Sequence, residues 1–295
     1  MAVSSDGLAR AVEPHFAEFK GEVGFYVRHL VTGEETGHNA DAPFLTASVF
    51  KIPVLVEVFR QAEAGRLSLD DTVTISRNAK LPGSGVLKEM SDGLTVTSRD
   101  LAMLMIIVSD NTATDLLLDL VGKDAVNATL RALGLERTRV DLTCREILYN
   151  LLDPESVPAA EADVSTFRQW KVNPQSKSLT DLTRNDLSTA REISRLLEMI
   201  HDGRAANPSS CAVMITILKR QQVNDRIPLF LPRSIDVAHK TGELPGIRND
   251  AGIVYGPSGP YLFACFTRGL ASEAEGCWHI GRLSRAVSEY FESAH

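Results

Sequence analysis

"FLTASVFKIPVLVEVF", residues 44–59, decides how this chain is read. It is apolar almost throughout, yet it carries Ser48 and, three residues on, Lys51. The spacing of the apolar positions predicts a helix over 48–65, closed by Gly65. Residues three apart on a helix share a face, so hydroxyl and ammonium become neighbours. A serine hydroxyl is a weak nucleophile at neutral pH unless a base stands beside it. A lysine in apolar surroundings has its charged form disfavoured and can serve as that base. The same spacing also describes a capped core helix with a snorkelling lysine. By chance, about one Ser-x-x-Lys occurs in a chain of this length.

Outward from that run, apolar spacing predicts a helix over 7–19, a strand at "GEVGFYVRHL", and a turn and second strand at "ETGHNADAPF". Downstream, "TVTSRDLAMLMIIVSDNTATDLLLDLVG" reads as two helices meeting at "SDN", with another at "GKDAVNATLRALGL". Residues 151–182 are richer in Pro, Ser and Asp and read as a long loop or inserted subdomain. Helices resume at 186–202 and 207–222. From Ile235 the period changes to three short strands, followed by a last helix over 278–293. Strands at both ends of the chain, separated by a helical middle, predict one antiparallel sheet with a helical insertion. The expected division is 1–45 with 218–295 for the sheet lobe and 46–217 for the helical lobe.

Two further clusters carry chemistry. Ser109, Asp110 and Asn111 lie between two apolar helices, where Ser109 or Asn111 can cap the second. A hydroxyl there can also relay a proton, and an amide can hold a substrate amide. His239, Lys240, Thr241 and Gly242 end a strand, where a cation and a hydroxyl can bind a carboxylate. His239 by itself reads as a packing residue.

Ser-x-x-Lys, SDN and KTG, in that order, are the motif set of class A β-lactamases and penicillin-binding proteins, and the chain resembles that family from about residue 20 onward. The resemblance implies an α+β fold, an antiparallel sheet flanked by helices with an all-helical lobe. It implies Ser48 as the acylated nucleophile, Lys51 as its proton acceptor and Ser109 as the proton donor to the leaving nitrogen. Asn111 would contact the substrate side-chain amide, and Lys240 and Thr241 its carboxylate. The backbone N–H groups of Ser48 and Glu243 would form the oxyanion hole. "EILYN" matches the Glu-x-x-Leu-Asn pattern, with Tyr149 in place of Leu. It implies Glu146 as general base for the deacylating water and Asn150 as its second holder. The expected activity is amide C–N hydrolysis of a β-lactam. Alternatives are a related peptidase, amidase or esterase, or a β-lactam-binding protein that acylates without efficient deacylation. The chain departs from the pattern in its long 151–182 segment and in Glu243, an acidic residue where small ones follow KTG. No disulfide is expected, because no cysteine falls where the family's bridge would form.

Composition narrows the field further. The 295 residues carry a net charge of −7 without a Lys/Arg stripe, which disfavours nucleic acid as a partner. Runs such as "LAMLMIIV" are too short to span a bilayer, so no membrane partner is expected. Cys144, Cys211, Cys265 and Cys277 form no CxxC pair and no zinc-ligand spacing, and read as buried thiols. There is no Gly-x-Ser-x-Gly elbow, His-Glu-x-x-His or phosphate loop. The expectation is a monomer acting on a small molecule with no metal or cofactor. The N-terminus lacks a basic start followed by an apolar stretch, which leaves either a cytoplasmic protein or one exported from a longer precursor.

Overall fold

The computed structural model describes residues 6–152 and 171–294. In chain order its elements are α1 (Asp6–Phe16), β1 (Glu22–His29), β2 (Glu35–His38), β3 (Phe44–Leu45), α2 (Lys51–Glu63), β4 (Thr72–Thr74), β5 (Thr95–Thr97), α3 (Ser98–Ile107), α4 (Asn111–Val121), α5 (Lys123–Ala132) and α6 (Cys144–Asn150). They continue with α7 (Lys177–Thr180), β6 (Leu187–Ser188), α8 (Ala190–His201), α9 (Pro208–Leu218), β7 (Asp236–Leu244), β8 (Ile247–Gly256), β9 (Gly259–Arg268) and α10 (Glu273–Ala294). They group into two units, Met1–Val49 with Leu187–His295, and Phe50–Asp186.

The first unit holds a five-stranded sheet in the order β2-β1-β9-β8-β7. All its pairs are antiparallel, and β1 meets β9 in the register Glu22↔Arg268 through His29↔Tyr261. Strand period sorts the side chains. Val23, Phe25 and Val27 of β1, with Tyr261, Phe263 and Cys265 of β9, face one core together with Leu8 and Val12 of α1 and Ile280, Leu283, Val287 and Phe291 of α10. The alternate residues face α8, whose Arg191 guanidinium lies 4.6 Å from the centre of the Tyr26 ring. Both faces are covered, so β1 and β9 read as nearly continuous apolar runs rather than strict alternations.

The division differs from the one expected at 46–217. Helices α8 and α9 belong with the sheet, because α8 must bury Ile193, Leu196, Leu197 and Ile200 and does so beside β1, β8 and β9. Burying each such side chain is worth about 1.5–3 kcal/mol, which outweighs sequence proximity to the helical segment.

The second unit packs α2 against α3, α4 and α5, with α6 on α4. The predicted 48–65 helix is split: a 3-10 turn, Ala47–Phe50, leads into α2. Most of the expected insertion lies outside the described residues. Its described flanks pair Leu152 with Val172, and the Asn173 N–H donates to the Leu151 carbonyl. Among the described residues no helix is long and apolar enough to cross a membrane.

Candidate active site

Within the sheet unit, Ser48 lies half-buried in the 3-10 turn that follows β3. Ala47, just before it, has φ of 45°, a left-handed backbone that a non-glycine residue adopts only under constraint. The constraint is visible. The Asn249 side chain on β8 donates to the carbonyls of Leu45 (2.8 Å) and Thr46 (3.1 Å), and its own oxygen accepts from the Thr267 N–H. Asn249 was not foreseen from sequence, because its work is done some two hundred residues away.

β7 runs past the same segment. A Cβ at Gly242 would meet the Thr46 carbonyl oxygen at 2.5 Å and the Ala47 Cβ at 3.2 Å. Glycine is required there because two backbones touch. Lys240 and Thr241 are buried, and Lys240 Nζ donates to the Thr241 carbonyl at 2.7 Å. His239 is a packing residue with a polar job: its Nδ1 lies 2.9 Å from the buried Asp250 carboxylate and its Nε2 3.1 Å from Asn224 Oδ1. Glu243 follows on the strand and binds Arg226 at 2.9 Å.

Within the helical unit, Lys51 opens α2 and is fully buried. Its Nζ donates to the Ser109 carbonyl (2.8 Å), the Ser109 hydroxyl (3.1 Å) and Asn111 Oδ1 (2.9 Å). Ser109 has φ of 54°, a bend that aims carbonyl and hydroxyl together at Lys51. The residue that caps α4 is neither Ser109 nor Asn111, as expected, but Asp110. Its Oδ1 accepts the Ala113 N–H at 3.0 Å. Its Oδ2 accepts the N–H groups of Val86 (2.6 Å) and Leu87 (2.8 Å). Asn111 Nδ2 donates to the Pro82 carbonyl, and its N–H to the Ser84 carbonyl. Residues 81–87, "LPGSGVL", therefore hold SDN in place. Gly85 has φ of 108° and a Cβ there would sit 2.3 Å from the Asp110 carboxyl carbon.

Glu146 and Asn150 keep the four-residue spacing expected of them. Both lie on α6 and both are exposed. Glu146 occupies the third helical position of a capping box with Thr143, its carboxylate accepting the Thr143 N–H at 2.7 Å. The same oxygen accepts from Lys123 Nζ at 2.7 Å. Partial burial would raise this carboxyl, but the hydrogen bond from Lys123 and those from Thr143 outweigh it and hold it below its ordinary value. The signal was in the sequence: Thr-x-x-Glu before an apolar turn is a capping-box signature.

Cys144, a buried thiol at the first helical position of α6, lies in the field of Lys51. Asp115, one turn beyond Asn111 on α4, accepts the N–H groups of Cys144 (2.7 Å) and Arg145 (2.9 Å), docking the start of α6. Burial raises the Asp115 carboxyl despite those bonds and the nearby Lys51 charge, and burial likewise pushes the Cys144 thiol up. Both residues were invisible as site residues, because single thiols and helix carboxylates have no spacing signature. All four cysteines are free and buried. Among the described residues no cluster of His, Cys, Asp and Glu is placed to hold a metal.

Residues 7–291 match the family described as the β-lactamase enzyme family. Among solved structures, the chain is similar to a β-lactamase from Sphaerobacter thermophilus, at 32% identity and a TM-score of 0.81 over 99% of each chain. It is 26% identical over 289 residues to β-lactamase 1 of Streptomyces cacaoi, covering 92% of this chain and 81% of that protein. It is also 24% identical over 271 residues to the β-lactamase regulatory protein BlaB of the same organism, covering 85% and 86%.

Proposed function

This chain belongs to the β-lactamase enzyme family, and we propose that it opens β-lactam rings through an acyl-enzyme on Ser48 whose deacylation is the slow step. Ser48 Oγ attacks the ring carbonyl, Lys51 takes its proton directly or through water, and Ser109 delivers a proton to the departing ring nitrogen. The C–N bond breaks as the Ser48 ester forms. The N–H groups of Ser48 and Glu243 stabilise the oxyanion, at about 3 kcal/mol per donor. Asn111 holds the substrate side-chain amide, and Lys240 and Thr241 its carboxylate. Water then cleaves the ester and returns the proton to Ser48.

The observation that carries this proposal is the burial of Lys51 against the Ser109 hydroxyl and Asn111 Oδ1, because it links the proton acceptor to the proton donor within one hydrogen-bond network. Slow deacylation follows from Glu146. It is the carboxylate assigned to activate the water, with Asn150 on the same helix, and the bonds from Lys123 and the Thr143 N–H to its Oε2 lower its basicity. A protein that acylates and holds its adduct is therefore the second reading, and likeness to both a β-lactamase and a β-lactamase regulatory protein is compatible with it.

Rapid mixing with a chromogenic cephalosporin tests the proposal. The expected trace is a burst of one ring opened per protein, then a much slower steady rate. Steady turnover without a burst would reject slow deacylation, and no ring opening would reject the activity.

A further inference from the structure

Glu243 stands where β7 leaves Lys240, Thr241 and Gly242, and the loop before β7 supplies its partner. Arg226 is fully buried, and its Nη2 donates to Glu243 Oε2 at 2.9 Å. Its Nε lies 3.6 Å from Asp225 Oδ1, and among the described residues Nε and Nη1 have no hydrogen-bond acceptor. A guanidinium is a rigid fork that suits a carboxylate held by two parallel bonds, and here only one is made. Arg248 adds a second cation, its Nε 4.0 Å from the same Glu243 oxygen. The rest of Arg248 is occupied by the carbonyls of Leu244 and Ile247 and by Glu273. Two arginines thus converge on one carboxylate, and that carboxylate is the chain's own. Its side chain is half exposed, so an incoming ligand can meet it.

Residues two apart on a strand share a face, so Thr241 and Glu243 project to the same side of β7. An anion bound at Thr241 would sit within one strand repeat of the Glu243 charge. Like charges brought together discriminate by repulsion, and an interaction surface uses such elements to reject partners as much as to select them.

We propose that Glu243 is a specificity-determining residue: it fills the arginine pair beside Lys240 and Thr241 with an internal carboxylate. Glu243 then slows acylation by substrates that bring a carboxylate to Lys240 and Thr241, relative to the same substrates with that group made neutral. This rests on the Ser48 acylation proposed above.

The test compares acylation rates, read by intact mass on the whole chain, for benzylpenicillin and its methyl ester. The two probes differ only in the carboxylate. Glu243→Gln keeps a hydrogen-bond acceptor for Arg226 and removes the charge; Glu243→Thr shortens the side chain, and a thermal melt of each variant checks its fold. The expected result is a carboxylate-to-ester rate ratio about tenfold higher in the folded variants than in the parent chain. A ratio within twofold of the parent overturns the inference while leaving Ser48 acylation intact. Absence of any adduct with either probe, in parent and variants alike, overturns Ser48 acylation and this inference with it.

Discussion

Replacing Lys123 with Met should speed loss of the acyl group from Ser48. Lys123 Nζ holds the Glu146 carboxylate at 2.7 Å, with the two side chains 30% and 45% exposed. A pair this exposed is screened and is worth about 0–1 kcal/mol. The Thr143 N–H bond to Glu146 survives the substitution. Removing the cation also lets the carboxyl rise towards its ordinary value, which makes it a better base near neutral pH. Together these give about 0.5–1 kcal/mol of relief, a two- to fivefold faster deacylation. Lys123 also donates to the Asp141 carbonyl, so the variant should melt about 2–4 °C lower. The assay forms the adduct with a β-lactam, removes excess ligand and follows the adduct by mass. Glu146→Gln supplies the control, and in that background Lys123→Met should change nothing. Decay at or below the parent rate, or the same acceleration in the Glu146→Gln background, would show that the Lys123–Glu146 pair does not govern deacylation.

Other substitutions test the supporting geometry. Gly242→Ala places a Cβ 2.5 Å from the Thr46 carbonyl, so it should slow acylation at least tenfold and lower the melting temperature, as read by adduct formation and calorimetry. Asp110→Ala removes the α4 cap and the anchor of Val86 and Leu87; a loss of about 2–4 kcal/mol is expected in denaturant titration, with weaker acylation. Asp186 is fully buried and its carboxyl is pushed up to about 8, by burial more than the N–H groups of Leu142 and Asp141 pull it down. A raised folded value means the native state binds the proton more tightly, so stability is greatest below the unfolded value of about 4 and falls as pH rises towards 8. The slope should reach up to about 1.4 kcal/mol per pH unit, and Asp186→Asn should flatten it in melts across that window.

Short-range pattern made much of this readable. The 3.6 period placed α2, α3, α4 and α5, and strands at both ends of the chain predicted one antiparallel sheet, in which the structure pairs β1 with β9. Ser48, Lys51, Ser109 and Lys240 stood out because each belongs to a motif only a few residues long. What escaped depends on contacts between distant segments. The bond from Asn249 to Thr46, the grip of residues 81–87 on Asp110, and Arg226 on Glu243 leave no trace in local spacing. Glu146 answers to two patterns at once. Its four-residue spacing to Asn150 fitted a catalytic pattern, while its three-residue spacing to Thr143 fitted a helix cap, and the cap is what the side chain makes. Helices α8 and α9 were assigned by sequence order, although the apolar face of α8 required the sheet.

Acylation at Ser48 is tested most directly by incubating the chain with benzylpenicillin, measuring its intact mass and mapping the modified peptide. The expected result is one adduct per chain, located on Ser48, absent from Ser48→Ala and formed at least a hundredfold more slowly in Lys51→Met. An adduct that persists in Ser48→Ala, or ring opening by the parent chain with no adduct at any time, would contradict it.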